Sequence, residues 1–143
     1  MKLSTIFLVS LAVLVVAFLV WRAANYPGRH TAATGTAVYD VAKEVQVVGT
    51  VKDVRDFVSP ESGGVMGGHL LLQTATGAVW VYLAPASTMH SRNLSFNPGD
   101  QITVVGSEVQ VSDRYDLIAR QIRRSGKAVE LRDVQGKLIT QQY

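Results

Sequence analysis

From Lys43 onward the chain alternates with a period of two. Val45, Val47, Gly49 and Val51 take turns with Gln46, Val48, Thr50 and Lys52, the pattern of a strand with one face turned inward. Residues 69–74 (HLLLQT) predict a second strand, and Thr76-Gly77 a tight turn into a third over 78–83 (AVWVYL); glycine in a short loop between two such runs is a hairpin signal. Pro85 ends that strand. Residues 86–94 lose the alternation and predict two turns of helix. Asn97-Pro98-Gly99-Asp100 is a strong turn signal ahead of a fourth strand over Gln101–Val111, where Gly106 predicts a bulge or bend. Ser112-Asp113 turns into a fifth strand over 114–123, and Ser125-Gly126 into a short extra one over 127–133. Residues 134–143 are polar and expected to fray.

A different pattern precedes the strands. Residues 3–21 contain no charge, and at about 1.5 Å per residue they make roughly 28 Å of helix, close to a hydrocarbon core. Trp21 and Tyr26 fall where interfacial aromatics are favoured. Residues 1–21 are therefore expected to be a single transmembrane anchor. The alternative is a cleaved export signal. Cutting after Ala23 or Ala24 would place Trp21 or Arg22 three residues upstream, where a signal peptidase wants a small side chain, so the uncleaved anchor is favoured. With no cysteine in the chain, neither a lipid-modified cysteine nor a disulfide is available. Lys2 and the N-terminal amine argue for an inside N-terminus, against Arg22 and Arg29. The expected address is the cytoplasmic membrane, single-pass, with the following domain periplasmic. Residues 22–42, rich in Ala, Thr and Gly, read as a flexible linker.

The stretch 43–133 suits one small domain with one core. Its order of three strands, short helix and two strands resembles an OB-fold, a five-stranded Greek-key barrel. The resemblance rests on VQVVGTV, with Gly49 mid-strand, and on a helix-length segment between strands three and four. It rests also on NPGDQITVVGSEV and on DRYDLIARQIRRSGKAVELRD, which is similar to the ending of small exported or anchored bacterial OB proteins of uncharacterised role. The fold class expected is thus all-β with one short helix. OB-folds host many activities, so the resemblance specifies fold better than function.

Trp80 and Tyr82 alternate with Val79, Val81 and Leu83. If the aliphatic set fills the barrel, the two aromatics share its outer face with His69, Leu71 and Gln73 of strand two, where the resemblance places ligands. One reading is a stacking platform for bases. The other is that the aromatics bury area beneath the 57–68 loop or a partner. That loop (FVSPESGGVMGG) holds four glycines; Met66 and Val65 could close over a surface, or the loop could be a plain connection. No Gly-Lys-Ser/Thr follows, so it is not a phosphate loop.

Charge separates the partner classes. The chain carries 14 basic and 11 acidic residues, net +3. Lys2, Arg22, Arg29 and Asp40 precede residue 43, which leaves the domain and tail near neutral. Non-specific nucleic-acid binding needs a basic surface. Arg120, Arg123, Arg124 and Lys127 are one local exception, either a site for anionic lipid heads or a phosphate backbone, or a solvated strand edge.

His30, His69 and His90 lack metal-ligand spacing, so neither metal nor other cofactor is expected. Haem chaperones with an anchored OB domain carry a late His-x-x-x-Tyr motif; here no histidine follows His90. Ser59, Ser62, Ser87 and Ser95 sit in no nucleophile motif. Asp53, Asp56 and Glu61 crowd near the first loop, most simply as a solvated loop mouth. The expectation is a non-enzymatic binding or assembly module at a membrane, recognising a protein or an extended ligand. The alternative is a single-stranded nucleic-acid binder; an accessory factor for haem or metal handling ranks last.

Overall fold

The computed structural model describes residues 37–141 apart from Ser112. The apolar run 3–21 and most of the linker lie outside these residues. No helix among the described residues is long and apolar enough to cross a membrane.

A 3-10 turn, Val41–Lys43, leads into strand β1 (Glu44–Val58). Asp40 caps the turn by accepting the Ala42 N–H at 2.9 Å, as short polar side chains do at helix starts. There follow β2 (Met66–Thr74), β3 (Gly77–Pro85), a short helix α1 (Ala86–Ser91), β4 (Gln101–Val111), β5 (Arg114–Arg124) and β6 (Lys127–Glu130). The fold is mostly β with one short helix, as the alternation predicts.

The strands form one sheet in the order β3-β2-β1-β4-β5-β6, and β3 also pairs with β5. Neighbours in that order are antiparallel. The β3–β5 contact is parallel, through Val81–Leu117 and Tyr82–Ile118. Pairing thus runs from β3 round to β5 and back to β3. Strand β1 serves both halves: Glu44 to Thr50 pair with β4, while Gly49 to Val58 pair with β2. Gly49 sits at the changeover.

Among the register shifts of the sheet, those on β1 and β5 tune the inward face. Val51 pairs with Leu72 and Asp53 with Leu71, so Lys52 is extra on β1. Gly106 pairs with Ala119 and Val105 with Gln121, so Arg120 is extra on β5. Consequently Leu117, Ala119 and Ile122 all reach the main core, with Val51, Leu70, Leu72, Val81, Leu83, Phe96, Ile102, Val104 and Leu131. A Cβ on Gly106 would run into the main-chain carbonyl of Ile118, which explains a glycine inside a central strand. A second cluster on the opposite face joins Tyr39, Tyr82, Val109, Val111 and Ile118.

Several boundaries differ from the pattern-based reading, among them the end of β6 at Glu130 rather than 133. The β1–β2 hairpin keeps pairing through Phe57–Gly67 and Val58–Met66, so only 59–65 connect the strands rather than 57–68. Gly67 lies inside β2 because a Cβ there would strike Tyr82 and the Ala84 carbonyl; it serves close approach, not mobility. Helix α1 stops at Ser91 rather than 94, with Asn93 in the left-handed region at φ 51°. The tail also folds back. Asp133 accepts the N–H groups of Gln135 and Lys137 at 3.0 and 2.9 Å, and Ile139 N–H donates to the Leu131 carbonyl at 2.9 Å. Tyr39, from the predicted linker, is buried over Gly136.

Candidate binding face

Val79, Val81 and Leu83 pack in or against the main core, so Trp80 and Tyr82 take the opposite face of β3. There Tyr82 stands across from His69, Trp80 from Leu71 and Ala78 from Gln73. Phe57 enters from β1, its ring edge-on to His69 at 5.4 Å and to Trp80 at 5.2 Å. His69 and Tyr82 lie 5.0 Å apart. The predicted residues therefore do share a face. They do not form an open platform: Trp80 is 6%, Tyr82 1% and His69 2% exposed. Leu71 and Gln73 are half-buried.

The loop and the tail bury Tyr82. Ser59 is fully buried, and its hydroxyl oxygen accepts the N–H groups of Glu61 and Ser62 at 3.1 and 3.2 Å. Ser59 N–H donates to Val65 O at 2.7 Å, and Ala37 N–H to Pro60 O at 2.6 Å. From the other side comes Arg132, with no exposed surface. Its Nη1 donates to the carbonyls of Leu83 (2.8 Å) and Ala119. Its Nη2 donates to Glu61 Oε2 at 2.7 Å, and its guanidinium carbon lies 5.5 Å from the Tyr82 ring centre, within cation–π range. Burial pushes the Tyr82 hydroxyl above its ordinary pKa, so it stays protonated.

His69 is held below its ordinary pKa of 6.5, first by burial, with Arg114 pressing the same way. Its Nδ1 is 2.9 Å from the Gly67 carbonyl; a carbonyl only accepts, so Nδ1 carries the proton. Arg114 itself grips Asp116 through Nε at 2.8 Å and Nη2 at 3.2 Å. Burial raises the Asp116 pKa and this guanidinium opposes the rise.

The basic cluster divides. Arg120 donates to Glu44 through Nε at 2.8 Å and Nη2 at 2.9 Å and lies 3.6 Å from Glu130. Arg124 pairs with Asp100 at 2.9 Å and stands over the Phe96 ring at 5.1 Å. Arg123 and Lys127 are exposed. Two of the four cations are thus neutralised within the fold.

Val38, Val48, Tyr115 and Val134 are exposed apolar side chains, and the hairpin end adds others. Val54 is 37%, Val65 43% and Met66 48% exposed. Among the described residues no group of three or more His, Cys, Asp or Glu side chains could hold a metal ion.

Sequence reasoning missed Arg132, and it read Glu61 as part of a solvated loop mouth, whereas Glu61 pairs with that arginine. Arg132 reads as the polar member of an alternating strand (VELRD). Its burial depends on acceptors from β3, β5 and the first loop, and no local spacing announces them.

The model of the MamS/MamX magnetosome protein family matches residues 43–129, from the end of the 3-10 turn into β6. No curated protein matches the chain.

Proposed function

Because the chain belongs to the MamS/MamX magnetosome protein family, we propose that it is a non-enzymatic binding or assembly module of the magnetosome. The domain is read as an OB-fold barrel of β1 to β5, with β6 added at its edge. The circuit of strand pairs closed by β3–β5 supports this, as do the changeover at Gly49 and the helix between β3 and β4. The uncharged run 3–21 supports a membrane anchor, with the domain on the periplasmic side.

The observation that carries the binding reading is the hairpin end. Its exposed Val65 and Met66 lie where β1 turns into β2, on the strands that carry Phe57 and His69. Scattered apolar residues need no explanation, but adjacent apolar residues at the tip of a hairpin, as Val65 and Met66 are, make the kind of patch that partners cover. A folded protein partner fits better than a nucleic acid. The stacking rings are covered, and Arg120 and Arg124 are spent on Glu44 and Asp100.

A titration of the full chain in detergent with a labelled single-stranded oligonucleotide separates the two. The protein-binding reading expects no binding at physiological salt. Tight binding with a steep salt slope, weakened by Trp80→Ala, would replace it with the nucleic-acid reading.

A further inference from the structure

Among the described residues five arginines pair with a carboxylate, and the three least exposed of them, Arg114, Arg120 and Arg132, do not hold it alike. Arg114 uses Nε and Nη2 together on Asp116. Arg120 uses Nε and Nη2 together on Glu44. Arg132 gives Glu61 only Nη2, and its buried Nε has no hydrogen-bond partner among the described residues. The side-by-side pair of donors that matches a carboxylate is therefore half used. Leaving a buried donor unmade costs free energy that any better-seated acceptor would recover.

The rest of the geometry fixes the arginine and leaves its partner replaceable. Nη1 is anchored on the carbonyls of Leu83 in β3 and Ala119 in the middle of β5, so the guanidinium keeps two anchors that do not depend on Glu61. Glu61 belongs to the 59–65 connection and keeps 24% of its side chain exposed. Gly63 and Gly64 follow it, with Gly64 at φ 82° and open space around both. The exposed stretch 62–64 can thus shift, while Ser59 and Pro60 stay buried.

We propose that Arg132 is a carboxylate-binding site for an acidic segment of a partner protein, and that Glu61 is its built-in stand-in. A Glu or Asp of the partner would take Nε and Nη2 together, displace Glu61 and swing the 61–64 stretch outward. This deepens the binding-module reading: it rests on that reading for the loop as docking side, and it adds the chemistry recognised there. Exposed Val65 of the loop and Met66 at the start of β2 would contact the apolar residues flanking the acidic one.

The test uses the full chain in detergent micelles and a fluorescent hexaglutamate peptide, with hexaglutamine as control. Glu61→Gln removes the internal competitor and should tighten hexaglutamate binding about tenfold or more, with no change for hexaglutamine. Arg132→Lys keeps the charge but lacks the planar pair of donors; added to Glu61→Gln it should abolish the gain. Circular dichroism verifies that each variant is folded. Should the double variant unfold, Ser59→Ala, which loosens the same loop, must reproduce the tightening. Equal affinity in wild type and Glu61→Gln overturns the proposal, and so does a gain that survives Arg132→Lys. Competition by inorganic phosphate at millimolar concentration without matching hexaglutamate binding would also overturn it, assigning the site to phosphate. These results leave the binding-module reading standing, because that reading is decided by the oligonucleotide titration and by whether the hairpin end meets a partner.

Discussion

Arg120 and Glu44, 76 residues apart, hold each other through two hydrogen bonds of 2.8 and 2.9 Å. The arginine is the extra residue of the β5 bulge, and the glutamate opens β1. Tyr39 Oη adds a third bond to the same carboxylate at 2.6 Å. One side chain on the bulge thereby ties the start of β1, the residues before it and β6 to a single strand.

Glu44 is held below its ordinary pKa of 4.5, chiefly by the Arg120 hydrogen bonds and then by Tyr39. A carboxylate lowered in the folded state stabilises the fold above its unfolded value, and that contribution is lost as pH falls through the folded value. Urea midpoints of the wild type should therefore drop below about pH 4.5 more steeply than those of Glu44→Gln. At pH 7 the substitution should cost about 1–2 kcal/mol, discounted because both partners are partly solvated.

His69 gives a second pH signature. Its pKa is lowered by burial from 6.5, so the unfolded chain binds its proton first. Its neutral form supports the fold fully above about pH 6.5, and that support fades as pH falls toward the folded value. His69→Phe keeps a ring beside Phe57 and Tyr82 and cannot titrate. Denaturation midpoints between pH 7 and 5 should fall for the wild type and fall less for the variant; parallel curves would count against a buried neutral histidine.

Gly106→Ala tests the bulge. The added methyl meets the Ile118 carbonyl, which belongs to the paired strand and cannot swing aside. The expected cost is about 1–3 kcal/mol, or a fall in Tm of roughly 5 °C or more. An unchanged Tm in a thermal melt would mean that β5 can move away there.

The strands were legible wherever alternation is local. Val45 to Val51 and 78–83 announce their inward faces, and Gly106 announces its bulge. Residues whose environment is assembled from distant segments were not legible. Arg120 looks like a member of a basic patch until Glu44 arrives from the other end of the domain. Trp80 and Tyr82 were placed on the correct face of β3 by alternation, but their covering by the loop and tail has no signature in β3 itself. Arg132 is the extreme case, a charge made compatible with full burial only by Leu83, Ala119 and Glu61 together.

A photo-crosslinking amino acid at Met66 of the full chain, illuminated in membranes of the native cells, examines recognition through the hairpin end. Val48, 63% exposed and nearer the other end of β1, is the control position. A discrete crosslinked protein band from position 66 and none from position 48 is the expected result. Equal bands from both positions, or no band from position 66, would contradict a docking surface at the β1–β2 hairpin.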